Sequence, residues 1–428
     1  IYTGEDTLSL HDALPISPDR RPAVLGRAAR RPYRRAVQLD APLSPIARWA
    51  LDPAVRHLNH GSYGGCPRAV TEAAARWRAE LEAAPMRFFG LTWQDALDRA
   101  RAALAAFVGA PAARLVFVPN STTGVAIALG SLAIAAGDEL VTTDHAYRAC
   151  RNQLDRLAAA HGAHVRVVAL PRPFAADAAA DAIVGALGPR SRALLLDHIT
   201  SPTAVVLPAA RIIAAARARG VAVIVDGAHA PGQLALDVGA LGADYYVGNC
   251  HKWVCATKAA GFLVAAADAP VRPRVTSHGA SPEYGPANRL HAELDWSGTH
   301  DPCAYLSVPT ALEAVAAEGG GWPAILARNH VLACALRARL VDALPAAGPT
   351  AALPADADLG CMATVPVALP AGLTADALRT RLLRDGWEVA VIEPPHGPAI
   401  RLSAHLYNAL ADADALAAHL HGLGVRRA

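Results

Sequence analysis

The chain has 428 residues, of which 53% are hydrophobic and 18% are charged, and its net charge is +3. This much apolar surface predicts a large buried core and excludes an intrinsically disordered chain. The balanced charge excludes a strongly basic nucleic-acid-binding protein, and no apolar run reaches the roughly 20 residues that span a bilayer. We therefore expect a globular protein of about two to four domains, with neither nucleic acid nor a membrane as its partner.

The first part of the chain is predicted to lie outside the fold. Residues 1–17 have no sustained helical or strand period, and residues 18–35 are rich in arginine. We interpret residues 1–42 as a non-native or disordered leader and expect the fold to begin near Leu43–Arg48. Residues 43–60 are expected to pack near a smaller C-terminal domain.

Helical periodicity over residues 67–106 is followed by short apolar runs that alternate with alanine-rich amphipathic segments. The runs are spaced by roughly 20–30 residues, as in strand–helix–strand crossovers, and several are continuous in Val, Ile and Leu, as in buried parallel strands. They predict an α/β domain over residues 61–305 with a mostly parallel seven-stranded sheet. The predicted strands are Leu115–Val118, Glu139–Thr142, Val165–Ala169, Ala193–Leu196, Val221–Val225, Tyr245–Val247 and Gly261–Val264.

After Pro309 the pattern changes and predicts a smaller α+β domain over residues 306–428. A long helix is expected near Ile325–Leu344 after a glycine-rich break. The predicted elements that follow are strand Ala363–Val367, helix Ala375–Asp385, strand Glu388–Ile392, strand Ala399–Ser403 and a final helix.

The cysteine and histidine spacings predict no metal site. The seven cysteines are scattered and no CxxC pair occurs, which favours a reduced cytoplasmic protein. The pairs His57/His60 and His161/His164 have helical spacing but lack a companion motif such as HExxH.

Two of the predicted strands are followed by hydroxyl and aromatic side chains. Ser121, Thr122 and Thr123 follow the strand that ends at Val118 and open an apolar helix. They predict either ordinary helix capping or an anion site at the helix N-terminus. His145 and Tyr147 follow the next strand, where a plain surface loop is the simpler interpretation.

Two further strand ends carry groups of opposite charge. Asp226 ends the run AVIVD, and a carboxylate at the end of a buried strand is unfavourable unless it is paired. Lys252 lies just after the next strand and is one of only two lysines, the other being Lys258. Because ligands bind beyond the carboxyl ends of strands in such sheets, Asp226 and Lys252 are expected to flank one cleft.

Together these groups meet the needs of pyridoxal phosphate. This cofactor needs a lysine amine for a Schiff base, a carboxylate beside its ring nitrogen, an anion site for its phosphate and an aromatic ring to stack on its face.

The motifs DGAHAPGQ, at residues 226–233, and NCHKW, at residues 249–253, resemble those of the class-V aminotransferase family of fold-type I pyridoxal-phosphate enzymes. The similarity is greatest to its isopenicillin N epimerase-like branch and extends over about residues 45–428. Further matching segments are LNHGSYGGCP at 58–67, PNSTTGV at 119–125, DHITSPTAVVLP at 197–208, SGTHDP at 297–302 and RLSAHLYN at 401–408.

The resemblance implies a role for each candidate residue. Lys252 would form the Schiff base and move the α-proton, Asp226 would pair with the ring nitrogen, and His229 would lie near the ring hydroxyl. Tyr147, rather than His145, would stack on the ring. The remaining implied assignments are Ser121, Thr122, Thr123, Ser201, Asn249 and His251 for the cofactor, Gly298 and Thr299 for the cofactor of a second subunit in a homodimer, and Arg401, Asn59 and His60 for the substrate.

Several reactions remain open on this scaffold. Epimerisation, transamination and C–S β-elimination all begin with removal of the α-proton. Cysteine desulfurase activity is disfavoured, because residues 389–408 contain no cysteine and Cys361 lies 40 residues ahead of Arg401. A nicotinamide dehydrogenase would need a GxGxxG motif that the sequence lacks. The complete set of Asp226, Lys252 and Arg401 argues against a non-catalytic scaffold protein.

Overall fold

Seven strands form a central sheet in the computed structural model, which describes residues 38–281, 288–348, 352–393 and 397–428. Each agrees with a predicted strand to within two residues at either end. After a short β1 at Arg56–His57, the strands of the sheet are β2 Leu115–Val118, β3 Glu139–Thr143, β4 His164–Val168, β5 Ser191–Asp197, β6 Ala222–Gly227, β7 Tyr245–Asn249 and β8 Gly261–Ala265.

The sheet order is β2-β8-β7-β6-β5-β3-β4, and β8 alone runs antiparallel to its neighbours. Because the other six strands point the same way, their carboxyl ends meet at one edge of the sheet. The interior strands β6 and β7 are almost entirely buried, as the continuous apolar runs predicted for strands covered on both faces. The predicted fold class, an α/β fold with a mostly parallel sheet, is therefore confirmed.

Helices cover this sheet and continue into the C-terminal part of the chain. Among the described helices, none combines the length and apolar character that a membrane span requires. The helices are α1 His60–Tyr63, α2 Arg68–Ala83, α3 Pro85–Arg87, α4 Trp93–Val108, α5 Ser121–Ser131, α6 Arg148–His161, α7 Ala176–Gly185, α8 Ala209–Arg217, α9 Val238–Leu241, α10 Arg289–Leu294, α11 Cys303–Leu306, α12 Val308–Gly319, α13 Trp322–Ala343, α14 Ala375–Arg384 and α15 Ala411–Gly422.

The helical pattern predicted as one stretch over residues 67–106 forms two long helices, α2 and α4, with a break between them. The break is at Ala84, whose backbone leaves the helical region immediately before Pro85, with φ of −155° and ψ of 73°, because a residue that precedes proline is pushed out of that region. A π-helical turn at Phe88–Thr92 then leads into α4. Apolar residues along one stripe of α4 pack into the core.

A second, four-stranded antiparallel sheet has the order β11-β12-β9-β13. The predicted strand at 388–392 is divided in two, because the chain changes partner at Val389: β10 pairs with β1, whereas β11 pairs with β12. The C-terminal strands are β9 Met362–Ala368, β10 Trp387–Glu388, β11 Ala390–Ile392, β12 Ala399–Ser403 and β13 Arg426–Arg427.

The N-terminal segment is bonded to this second sheet and its flanking turn. Leu43 N donates to Leu406 O at 2.8 Å, and Asn408 Nδ2 donates to His57 O at 2.7 Å. Residues 1–37 of the predicted leader, which extends to 42, lie outside the described residues. In the rest of that segment, Leu39 O accepts a hydrogen bond from Leu410 N at 3.0 Å. The proposed domain limits at 43, 61 and 306 remain predictions.

One ion pair is deeply buried where α4 meets β2. Arg101 Nη2 lies 2.6 Å from Asp295 Oδ2, its Nη1 donates to Leu115 O at 2.8 Å, and the Arg101 side chain is 2% exposed. Replacing Arg101 with Ala leaves the Asp295 carboxylate buried without this cation. We expect the free energy of unfolding, measured by denaturant titration, to fall by about 3–5 kcal/mol.

Arg78→Ala is the matched control, because Arg78 pairs with Asp301 at the surface, where both side chains are substantially exposed. Its loss should change the free energy of unfolding by about 1 kcal/mol or less. Equal effects of the two substitutions would contradict this account of the buried pair.

Candidate active site

The carboxyl edge of the central sheet borders a cleft of about 170 Å³. Loops that follow β2, β3, β5, β6 and β7 contribute its walls, as expected from the common direction of these strands. The residues that line it are Ser62, Tyr63, Asn120, Ser121, Thr122, Tyr147, Asp197, Ile199, Ser201, Asp226, Ala228, His229, Asn249, His251 and Lys252.

Lys252 extends its amine into this cleft. Its Nζ lies 3.2 Å from His229 Nε2. Burial, reinforced by the positive charge of Arg401, lowers the pKa of Lys252 from 10.5 to about 8 although Asp226 acts in the opposite direction. The indole N–H of Trp253 lies 3.5 Å from His229 Nδ1, which favours the tautomer that carries hydrogen on Nε2. A neutral Lys252 amine can accept a hydrogen bond from this Nε2–H group.

Asp226 occupies the end of β6 with its carboxylate held by local donors. Ala228 N donates to Oδ1 at 3.0 Å, and the Cys150 thiol donates to Oδ2 at 3.3 Å. Burial raises the pKa of Asp226, while these donors and the charge of Lys252 oppose the rise. The structure thus brings Asp226 and Lys252 to one cleft, as the sequence predicted.

The N-terminus of α5 forms one wall of the cleft. Ser121 N donates to Asn249 Oδ1 at 2.8 Å, and Ser121 Oγ is buried without a hydrogen-bond partner among the described residues. Together with Thr122 and the end of the helix dipole, these groups suit an anion. His251 Nδ1 faces Ala260 O at 2.8 Å, and burial lowers the pKa of His251 to about 4.

Thr123 does not line this wall, and its assignment as a cofactor-binding residue remains a prediction. Asn120 is the N-cap of α5, and its Oδ1 accepts from both the backbone N–H and the hydroxyl of Thr123. The Thr123 side chain is thereby committed to helix capping and borders a different pocket. Capping and anion binding are thus divided between neighbouring residues.

Arg401, on β12, is buried close to the cleft. Its Nη1 donates to Ser201 O at 2.6 Å, and its Nη2 donates to Ser62 Oγ at 2.9 Å and to Asn59 Oδ1 at 3.3 Å. Its Nε has no hydrogen-bond partner among the described residues, and none of their carboxylates pairs with the guanidinium. Burial lowers the pKa of Arg401 to about 10. An anionic ligand could supply the missing countercharge.

His60 packs away from the cleft, and its assignment to the substrate remains a prediction. Its ring stacks on His405 with centroids 3.9 Å apart, its Nδ1 lies 2.8 Å from the Tyr407 hydroxyl, and its Nε2 lies 3.1 Å from Lys252 O. Burial lowers the pKa of His60 to about 3. The ring therefore supports the backbone of Lys252 and does not line the cleft.

The same packing gathers three groups that could bind a metal, from segments far apart in sequence. Donor atoms of His60, Cys255 and His405 all lie within 4.8 Å of one another. Sequence spacing could not reveal this cluster. The two imidazole rings are only 15° from parallel, so their in-plane lone pairs do not converge on a common point. The expectation that the protein has no metal site remains a prediction.

Gly64 allows the α1 segment to approach Lys252. Its backbone is left-handed, with φ of +70°, and a Cβ atom would collide with His251 O and lie 2.8 Å from Lys252 O. Only glycine fits this approach without displacement of the backbone. The adjacent residues Ser62 and Tyr63 thereby reach the cleft.

Of three further predicted site residues, one lines the cleft and two lie outside it. Tyr147 lines the cleft, whereas the buried His145 contacts Thr203 at 2.9 Å and is outside the lining. Gly298 and Thr299 are exposed and are not part of this chain's own cleft. A second subunit would be needed to bring that loop to a site.

The sequence analysis missed Asp197, Ser62 and Tyr63 as lining residues. Asp197 had a visible signal, because ALLLD ends a buried strand in a carboxylate just as AVIVD does at Asp226. Ser62 and Tyr63 lie in the matching segment LNHGSYGGCP, but a four-residue helix gives no indication of which of its side chains will enter the cleft.

Residues 66–367 match the family model described as Aminotransferase class-V. The chain belongs to the class-V aminotransferase family. It is 37% identical over 391 residues to the isopenicillin N epimerases of Amycolatopsis lactamdurans and Streptomyces clavuligerus, covering 87% and 88% of this chain and 96% of each relative. An L-cysteine desulfhydrase of Arabidopsis thaliana is 30% identical over 350 residues, which cover 76% of this chain and 74% of the relative.

Solved structures agree on the fold. The cystine C–S lyase C-DES, in complex with its reaction product cysteine persulfide, superposes with a TM-score of 0.75 at 23% identity, covering 86% of this chain and 97% of that chain. The cysteine desulfurase CsdA of Escherichia coli superposes with a TM-score of 0.70 at 21% identity, covering 88% and 96%. The family match over residues 66–367 and the 37% identity to the two epimerases confirm the resemblance stated from the motifs.

The lowered pKa of Lys252 predicts an unusually reactive amine in the cofactor-free chain. Reductive methylation requires the neutral amine, so modification of Lys252 should be half-maximal near its pKa of about 8, whereas an ordinary lysine has a pKa of 10.5. Peptide mass spectrometry across a pH series measures this midpoint. The variant Lys258→Arg leaves Lys252 as the sole lysine. A midpoint near 10.5 would contradict the effect of burial.

Proposed function

We propose that this protein is a pyridoxal-phosphate-dependent enzyme that acts at the α-carbon of an amino-acid-type substrate, with isopenicillin N epimerase-like activity as the leading candidate. The resemblance to two epimerases over nearly their full length supports this proposal. The observation that carries it is the shared cleft of Lys252, with a pKa lowered to about 8, and the buried carboxylate of Asp226.

The residues present fit this cofactor. Ser121 and Thr122 would hold its phosphate with Asn249 and His251, and the buried Ser121 hydroxyl would gain the partner it lacks. Asp226 would pair with the ring nitrogen, where its buried negative charge favours a protonated ring.

Tyr147 would stack on the ring face, and Ser201 and His229 would contact its polar edge. When bound, pyridoxal phosphate supplies an aldehyde for an amine and a ring that accepts the electron pair released at the substrate α-carbon.

The chain's own groups bind the substrate and move its proton. Arg401 holds the α-carboxylate with its guanidinium, which Ser62 and Asn59 keep in place. Lys252 Nζ takes the proton from the α-carbon, because its lowered pKa leaves a substantial neutral fraction near neutral pH. His229 Nε2, 3.2 Å from Lys252 Nζ, positions the amine in the cleft.

A C–S lyase is the second candidate, favoured by the L-cysteine desulfhydrase relative. The residues described above also serve β-elimination or transamination, because all three begin at the α-proton. A desulfurase is disfavoured, because no cysteine lines the described cleft and Cys361 is completely buried. All seven cysteines are free thiols, in keeping with the proposed cytoplasmic location.

We also propose a homodimer in which Gly298 and Thr299 reach the partner's cofactor phosphate. The aromatic ring of Trp296, beside this loop, packs on Phe89 with centroids 5.0 Å apart. Met86 and Leu91 on the same segment are 89% and 77% exposed. Large apolar side chains left open beside a functional loop are typical of a protein interface.

Borohydride reduction of the cofactor-loaded protein tests the cofactor assignment. Peptide mapping should find the reduced cofactor on Lys252 in the wild type and in Lys258→Arg, and should find no tag on the remaining Lys258 in Lys252→Arg. Both variants keep the positive charge, so the comparison isolates the position of the amine. A tag on Lys258, or no tag, would contradict the proposal.

The reaction is then assigned in deuterated water with isopenicillin N and L-cysteine as separate substrates. An epimerase should incorporate deuterium at the α-carbon of isopenicillin N while both epimers accumulate. A C–S lyase should release sulfide and pyruvate from L-cysteine. Deuterium incorporation with retained chirality would exclude the epimerase and leave the family assignment intact.

Subunit mixing tests the shared site. Lys252→Ala and Thr299→Trp should each be inactive as homodimers, the second through obstruction of its neighbour's phosphate site. Unfolding and reassembly of a mixture should restore partial activity, because one of the two clefts in each heterodimer receives wild-type groups from both chains. Recovery of no activity, with heterodimers present by native mass spectrometry, would show that each subunit builds its site alone.

A further inference from the structure

A second carboxyl group lies beside Asp226 in the cleft. Asp197 ends β5 and is the direct neighbour of Asp226 across the parallel pairing of β5 and β6. In-register neighbours project from the same face of a sheet. Asp197 and Asp226 are 3% and 4% exposed, and both line the cleft.

The surroundings of the two carboxyl groups are unequal. Asp226 accepts from Ala228 N and from the Cys150 thiol of α6, and the charge of Lys252 favours its ionised form. Asp197 has no ion pair among the described residues, and its carboxyl group accepts hydrogen bonds only from backbone N–H groups, including that of Tyr147. The pair therefore has one member that is equipped to carry a negative charge and one that is not.

The other titratable groups near the pair do not remove this asymmetry. Cys150 faces both carboxyl groups, but burial raises the pKa of its thiol, so it remains a neutral donor. His198 is the first residue after β5, and its Nδ1 lies instead 3.0 Å from the Tyr246 hydroxyl. Burial and the charge of Asp226 both raise the pKa of Asp197 well above its usual value. Two buried carboxylates this close cannot both be ionised without a large penalty.

We propose that Asp197 is a positioning residue that stays a neutral carboxylic acid and donates its hydrogen to Asp226, which leaves Asp226 as the single ionised carboxylate of the pair. This inference rests on the proposed function, because it assigns to Asp226 the carboxylate that faces the cofactor ring. With donors from Ala228, Cys150 and Asp197, the Asp226 carboxylate is held in one orientation. A neutral Asp197 also leaves one anion fewer in the cleft that is proposed to take the phosphate.

Stability against pH tests the proton on Asp197 without any catalytic readout. The pKa of Asp197 is raised in the folded chain above the usual 3.8. Between pH 3.8 and that raised pKa, the folded state therefore binds more protons than the unfolded state. The free energy of unfolding must therefore fall as the pH rises through that window. Asp197→Asn is permanently neutral and removes this slope.

Thermal unfolding of the full chain without cofactor should show the consequence. Relative to wild type, Asp197→Asn should have a Tm that is about 2 °C or more higher at pH 8, with a smaller difference at pH 5. The proposal would be overturned if the Tm difference between Asp197→Asn and wild type were the same at both pH values, or smaller at pH 8 than at pH 5. Infrared spectra give a second readout: the C=O band of a protonated carboxyl group should persist at pH 8 in wild type and weaken in Asp197→Asn.

Cofactor affinity separates this proposal from the proposed function. Asp197→Asn keeps a hydrogen donor, so the Kd for pyridoxal phosphate should stay within about threefold of wild type, while Asp197→Ala should bind more weakly than Asp197→Asn. Asp226→Asn loses the ionised partner, and its Kd should rise about tenfold or more. An unchanged Kd in Asp226→Asn would refute the cofactor assignment alone, whereas a large loss in Asp197→Asn would show that Asp197 acts as an anion.

Discussion

The cleft depends on two buried cationic groups, the Arg401 guanidinium and the Lys252 amine, whose charge is not fully neutralised by the described residues. Arg401 meets only neutral oxygens, and Lys252 is buried among groups that lower its pKa to about 8. Such groups are unfavourable for folding, because their hydration is lost and no full countercharge replaces it. Hydrophobic cores on both faces of the central sheet, and another around the smaller sheet, supply the compensating stability. A ligand that brings an anionic and an aromatic part would relieve the imbalance.

Sequence patterns predicted the parts of the molecule that follow from local regularity. The seven strands appear as apolar runs, and the scarcity of lysine made Lys252 conspicuous. The order of the elements along the chain then placed Asp226 and Lys252 at one edge, because parallel strands share a direction. Arg401 was assigned through its motif, since no local pattern relates a strand at residue 401 to a cleft built by residues 121–252.

Two of the predicted site residues do not line the cleft, and side-chain packing gives the reason. His60 and Thr123 lie in motifs that reach the cleft, but each side chain is committed to a different partner, Tyr407 in one case and Asn120 in the other. A one-residue difference along a helix turns a side chain through about 100°. Sequence similarity identifies the segment, and packing decides which of its side chains enters the site. The same limit concealed the cluster of His60, Cys255 and His405.

Bonds between the two ends of the described chain also constrain how the protein is made. Leu43 is joined to Leu406, and Asn408 donates to His57, so these contacts span most of the polypeptide. Every residue between 59 and 401 must therefore have been synthesised before Arg401 can take its place beside Ser201 and Asn59. Closure of such long loops delays folding, and the nascent protein passes through a stage in which the strand ends of the central sheet can assemble while substrate recognition is still lacking.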